Sequence, residues 1–289
     1  MDPAWTDLGE GAWVRRSRAY QMNTTVLVQD GWALLIDPGV LPSELDDLAR
    51  FVAEHAPRFE QVAIAFTHPH WDHVLGRPWF PAATTVAHAG FFDVLQLEAA
   101  NIERRAKEYI EGEGEVWPTP FRAFEPTLNA RGVVGLQLGP FSFVTHELPG
   151  HDPNQLALHF PARGLFVAAD TLSDIEIPWL DAPAWVYRKG LEALTHVFEH
   201  EDIRVLVPGH GPLALGRAAA YRRLLRDLAY LRRLEEGVSS AHTRGLSLED
   251  TRAELQVMDY LGKDAAYSMN DVHRENIRFT YEGIAELQP

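Results

Sequence analysis

A chain of 289 residues, 46% of them hydrophobic, is long enough to bury a sizeable core. It contains no cysteine, which excludes disulfides, thiolate ligands and cysteine nucleophiles and suits a cytoplasmic setting. Its formal charge of -15 argues against a nucleic-acid partner. No apolar run reaches the roughly 18 residues of a membrane span, and the opening "MDPAWTDLGEGAW" lacks the basic and apolar regions of a secretory signal.

In chain order, "NTTVLVQDGWALLIDPG" predicts two strands joined by a type I′ turn at Asp30-Gly31. "PSELDDLARFVAEHA" predicts a helix with Pro42 near its start, and "QVAIAFT" a short strand. "TTVAHAG" reads as a further strand and "FFDVLQLEAANIERRAKEYIEGEGE" as a long helix, an alternation of α/β type. Residues 111–127, rich in Pro, Gly and aromatics, read as a loop. "GVVGLQLGPFSFVTHEL" predicts a hairpin, and "QLALHFPARGLFVAAD" a second one turning at Pro161 to Gly164. A helix, "YRKGLEALTHVFEH", and a strand, "IRVLVPG", follow. The two halves share this order, which suggests two mixed sheets packed face to face with helices outside. From about Leu215 three helical segments are expected, 215–237, 247–258 and 269–286. The basic run "YRRLLRDLAYLRRLEE" alternates with leucine at helical spacing and reads as a solvated helix face.

The chemistry concentrates in "AFTHPHWDHVLG", where His68, His70, Asp72 and His73 fall within six positions directly after a strand. Imidazole and carboxylate together suit Zn, Fe or Mn, and the spacing suits a metal better than a polar loop. Further ligands are expected just after apolar runs. Three positions qualify: His151 in "ELPGHDPNQ", Asp170 closing "LFVAAD", and His210 in "VLVPGHG". The bland alternatives are turn residues for His151 and His210 and a helix cap for Asp170. His88 in "TVAHAG" is a pocket candidate; His159 in "LALHF" reads as a packed side chain.

In its order and spacing, the set His68, His70, Asp72, His73, His151, Asp170, His210 resembles the metallo-β-lactamase superfamily, in a glyoxalase II- or lactonase-like branch, over roughly residues 10 to 215. The resemblance implies an α+β fold, the αββα four-layer sandwich, over 1–214, with 215–289 as a C-terminal helical appendage. It implies two divalent metal ions, zinc first, with iron or manganese as alternatives. His68, His70 and His151 would hold one ion, Asp72, His73 and His210 the other, with Asp170 bridging. Asp72 would also act catalytically on the attacking water. Asp37 in "LLIDPG" matches the family's buried strand-end aspartate, an orienter of ligands or a turn cap.

What this implies functionally is a cytoplasmic binuclear hydrolase of a small ester, thioester or lactone, acting by metal-bound hydroxide. The expected partner is a small-molecule substrate, with neither nucleic acid nor membrane involved and a homodimer allowed. Asp170 argues against a β-lactamase proper. Ser173, where homoserine lactonases carry a tyrosine, argues against that activity. Trp79, Trp117, Phe121, Trp179, Trp185 and Tyr187, in loops or beside helix starts, suggest an apolar pocket wall. The alternative is a mononuclear iron dioxygenase acting on a thiol or persulfide.

Overall fold

Asp30 and Gly31 both adopt left-handed backbone, with φ of +51° and +78°. Gln29 pairs with Trp32 across them, as a two-residue type I′ turn requires. A second such turn, at Glu10 and Gly11 (φ +51° and +72°), closes an N-terminal hairpin that hydrophobic patterning alone had not suggested. These hairpins open a computed structural model that describes residues 5–56, 58, 61–260 and 263–287. The "MDPA" opening read above therefore lies outside the described residues. The chain divides into two units: Met1–Glu147 with Leu156–Arg163, and Leu148–Gln155 with Gly164–Pro289.

In the first unit β1 (Trp5–Gly9), β2 (Ala12–Arg16), β3 (Asn23–Gln29), β4 (Trp32–Ile36), β5 (Val62–Ala65), β6 (Thr84–His88) and β7 (Leu128–Ala130) form one sheet in sequence order. Pairing is antiparallel from β1 to β4 and parallel from β4 to β7. The crossovers carry α1 (Pro42–His55), the short α2 (Trp71–Val74) and α3 (Phe91–Gly112). All four residues of β5 are buried, as a parallel strand covered on both faces should be. Leu45, Leu48, Ile64, Phe66, Phe91 and Ile102 belong to its core. Ile36 pairs with Ala65 in parallel register, so Asp37 and Thr67 leave the same end of the sheet. β8 (Val134–Leu138), β9 (Phe141–Glu147) and β10 (Leu156–Phe160) form an antiparallel meander in this unit.

The second unit holds β11 (Leu165–Val167), α4 (Ala184–His200), β12 (Val205–Val207) and β13 (Ala214–Leu215), followed by α5 (Arg217–Thr243), α6 (Leu248–Glu254), a two-residue ladder of β14 (Asp259–Tyr260) with β15 (Lys263–Asp264), and α7 (Ala265–Leu287). β11 and β12 run parallel with Val167 opposite Val207. The segments ending at Asp170 and His210 therefore leave one edge together, and the Gly209 amide donates to the Ala169 carbonyl (2.6 Å). α5 runs through Gly237, the expected end, to Thr243, and Gly245 in left-handed backbone (φ +75°) follows its close.

One expectation for the C-terminal helices fails. Arg223 and Asp227 of the basic run are buried, at 5% and 1% exposure, and are not part of a solvated face. Leucines at helical spacing gave the amphipathic pattern, but the inward face also carries these two ionic side chains.

Candidate metal centre

In the first unit the fully buried His68 and His73 lie with ring centroids 4.1 Å apart, and His70 lies 4.5 Å from His68. His68 and His70 offer ligand atoms within 4.8 Å of each other, as do Asp72 and His73. The local sequence explains the convergence. His70 precedes α2 in extended backbone, so the chain turns there and brings Asp72 and His73 round.

Their protonation follows from donor accounting. The Asp37 carboxylate, 2% exposed, accepts from the Thr67 amide (2.8 Å), the Thr67 hydroxyl (2.6 Å) and His73 Nδ1 (2.9 Å). Having given its proton to Asp37, the Thr67 hydroxyl accepts from His68 Nδ1 (3.0 Å). Both imidazoles thus carry their proton on Nδ1, which makes Nε2 the lone-pair nitrogen a metal requires. Asp37 itself has left-handed backbone, φ +50°. Its carbonyl is held by the Thr24 hydroxyl (2.8 Å) and the Gly39 amide (3.0 Å).

In the second unit Asp170 Oδ2 lies 3.3 Å from His151 Nε2 and 3.4 Å from His210 Nε2. His151 donates from Nδ1 to the Trp179 carbonyl (3.1 Å), which leaves Nε2, facing Asp170, as the nitrogen available to a metal. Burial lowers the pKa of His151, but the Asp170 hydrogen bond and charge outweigh it and the net shift is upward. Gly209 is required here, since a Cβ at that position would lie 1.9 Å from Asp170 Oδ1.

These donors fit a divalent cation. Two ligand atoms about 2.1 Å from a tetrahedral zinc lie about 3.4 Å from each other, the spacing of Asp170 Oδ2 from both histidines. One carboxylate oxygen with an imidazole on either side suits a bridge between two ions. Buried imidazoles whose tautomers are fixed by a carboxylate are the other half of such a donor set.

His88 accepts from the Gly90 amide (3.0 Å) and contacts Glu147 (3.3 Å), an anchoring role. Buried Trp117 and Phe121 belong to the first unit's core, and Tyr187 is fully buried in α4. Proline and glycine beside Trp117 and Phe121 had marked a loop correctly but concealed its burial. Trp179 is 46% exposed and its ring lies 6.3 Å from that of His151. Thr67 went unnoticed as a strand residue; its place immediately before His68 was the available signal.

The family profile of the metallo-beta-lactamase superfamily matches residues 18–231. No curated protein matches the chain in sequence. Among solved structures, the inverting sec-alkylsulfatase Pisa1 from Pseudomonas sp. superimposes with a TM-score of 0.75 at 16% identity. That similarity covers 99% of this chain and 52% of the sulfatase, so the chain spans about half of that protein's length. A metallo-beta-lactamase from Pontibacter korlensis gives 0.58 at 14% identity, over 79% of this chain and 98% of its own. One from Erythrobacter litoralis gives 0.53 at 20% identity, over 78% and 95%. At these identities the structures share the fold alone. With its α+β fold, its C-terminal helical region and a family match that takes in every candidate ligand, the chain belongs to the metallo-β-lactamase superfamily.

Proposed function

We propose that the chain is a binuclear metal-dependent hydrolase of a small ester, thioester or lactone. His68, His70 and His151 hold one ion, Asp72, His73 and His210 the second, and Asp170 bridges them. The observation that carries this reading is the pair of prepared donor sets: imidazoles with tautomers fixed through Asp37, and a carboxylate oxygen spaced for two ions. Bound divalent cations, zinc in this reading, supply Lewis acidity and lower the pKa of a water nucleophile. The chain does the rest. Asp72 holds that water in line and takes its proton on a carboxylate oxygen. Asp37 and Thr67 keep His73 and His68 from rotating or changing tautomer.

Trp179 beside His151 and Ile175 packed toward Gly211 are both exposed, at 46% and 39%, which supports a substrate with an apolar substituent. A secondary alkyl sulfate joins the candidates, because the alkylsulfatase likeness extends over the C-terminal helices. The charge of -15 supports a small-molecule substrate over a polyanionic one. No helix among the described residues is long and apolar enough to cross a membrane. We place the enzyme in the cytoplasm and read 1–214 as the catalytic domain, with 215–289 packed on it.

The test is turnover by metal-replete protein across carboxylic esters, thioesters, lactones and a secondary alkyl sulfate. Hydrolysis in one class, with loss in Asp72→Asn through kcat and little change in KM, is the expected result. No hydrolysis, combined with oxygen consumption on a thiol or persulfide, would replace this reading with a mononuclear dioxygenase.

A further inference from the structure

Asp170 sits in a strained loop. The non-glycine residues Ala169 and Leu172 on either side of it both have left-handed backbone, φ +53° and +58°. Such conformations are unfavourable for residues with a Cβ and persist only where the surroundings over-determine them. The surroundings here come from the second unit's helices. The Tyr187 hydroxyl of α4 donates to the Asp170 carbonyl (3.1 Å). The Leu172 amide donates to Asp227 Oδ2 (3.2 Å), and Arg223 of α5 donates to the Leu172 carbonyl (3.1 Å). Arg226 donates to the Ser173 carbonyl (2.6 Å), and the Ser173 hydroxyl donates to the carbonyl of His210 (2.9 Å). Asp227 is in turn fixed on Oδ1 by the Tyr260 hydroxyl (2.8 Å) and Arg226 Nε (3.1 Å).

We propose that Asp227 is a positioning residue for the metal centre: by holding the Leu172 amide it keeps the left-handed turn that aims Asp170 between His151 and His210. The inference rests on the reading of Asp170 as a metal ligand. A buried carboxylate is a poor device for stability alone. Burial raises the pKa of Asp227 to about 6, against the pull of Arg226, so its charge is held at a cost. The strain at Leu172 gives that carboxylate a use. An apolar side chain of similar size would pack as well, but it would leave the Leu172 amide without an acceptor and free the turn to relax.

The experiment measures zinc affinity by chelator competition and the visible spectrum of the cobalt-substituted protein, at a temperature where each variant is folded by circular dichroism. Asp227→Ala is expected to weaken zinc binding about 10–100-fold and to perturb the cobalt bands. Asp227→Asn, which keeps an acceptor oxygen for the Leu172 amide, should recover much of that loss. Tyr260→Phe, which removes one donor to Asp227, should shift affinity in the same direction by less. Should Asp227→Ala fail to fold, the Asn and Phe variants decide. Wild-type zinc affinity and an unchanged cobalt spectrum in the folded variants would overturn the positioning role, even if their melting temperatures fall. Failure of the wild-type protein itself to bind zinc would instead overturn the metal reading on which the inference rests.

Discussion

The Asp37 carboxylate determines which nitrogen of two different histidines is protonated, directly for His73 and through the Thr67 hydroxyl for His68. Removing it should therefore weaken metal binding without removing a ligand. Asp37→Ala is expected to lower zinc affinity about 10–100-fold, and Thr67→Val, which disturbs only His68, by less. Chelator competition measures both; equal affinity in Asp37→Ala and wild type would show that the tautomers are not set this way. A second residue acts through pH. Burial, then the neighbouring His159, lowers the pKa of His146 from 6.5 to about 4. Between those values the unfolded chain binds a proton that the folded chain refuses, so this group's stabilising effect falls as pH drops through about 6.5 towards about 4. Asp227, raised to about 6, works in the opposite sense, so a substitution is needed to isolate His146. Urea midpoints at pH 7 and 5 should differ less in His146→Gln than in wild type, and an unchanged difference would contradict the assignment. The histidine motif was legible because its donors crowd one strand end. Asp37 was legible by its own position, but Thr67 was not, since a threonine closing a strand carries no mark of the proton it relays.

Parallel pairing of β11 with β12 explains why candidate ligands far apart in sequence share one edge, and the fit there is close. Gly209 leaves no room for a side chain: a Cβ would meet Asp170 Oδ1 at 1.9 Å and Ala169 backbone at 3.1 Å. Gly209→Ala is expected to displace Asp170 and weaken metal retention, whereas Gly112→Ala, at the open end of α3 with nothing within 4 Å, should not. Elemental analysis after dialysis separates them, and equal retention would contradict the geometry. Strands, crossover helices and the Asp30-Gly31 turn could be read from hydrophobic period and turn chemistry. The inner face of α5 could not. Its arginines and Asp227 alternate with leucine as a solvated helix would, and only the loop they grip distinguishes the two. Periodicity reports which side of a helix is apolar and is silent on ionic groups that backbone carbonyls and amides satisfy.

For the molecule as a whole, the membership of the superfamily was legible from seven residues in order, while the substrate was not, because that fold carries many chemistries. Trp117 and Phe121 show why: composition marks an aromatic loop, but whether it lines a pocket or fills a core depends on packing. Ions that bind the folded chain and not the unfolded one stabilise it, by about 2.7 kcal/mol at a free concentration of 100 Kd. Thermal melts with zinc and with chelator should therefore separate, and a coincident pair would mean that the donors hold nothing. The most direct test of the two-ion centre is the number of ions per chain after saturation with zinc and removal of excess, by elemental analysis on wild type and on Asp170→Ala. The account predicts two in the wild-type chain and fewer in the variant; one ion or none in the wild type, or two in both, would contradict it.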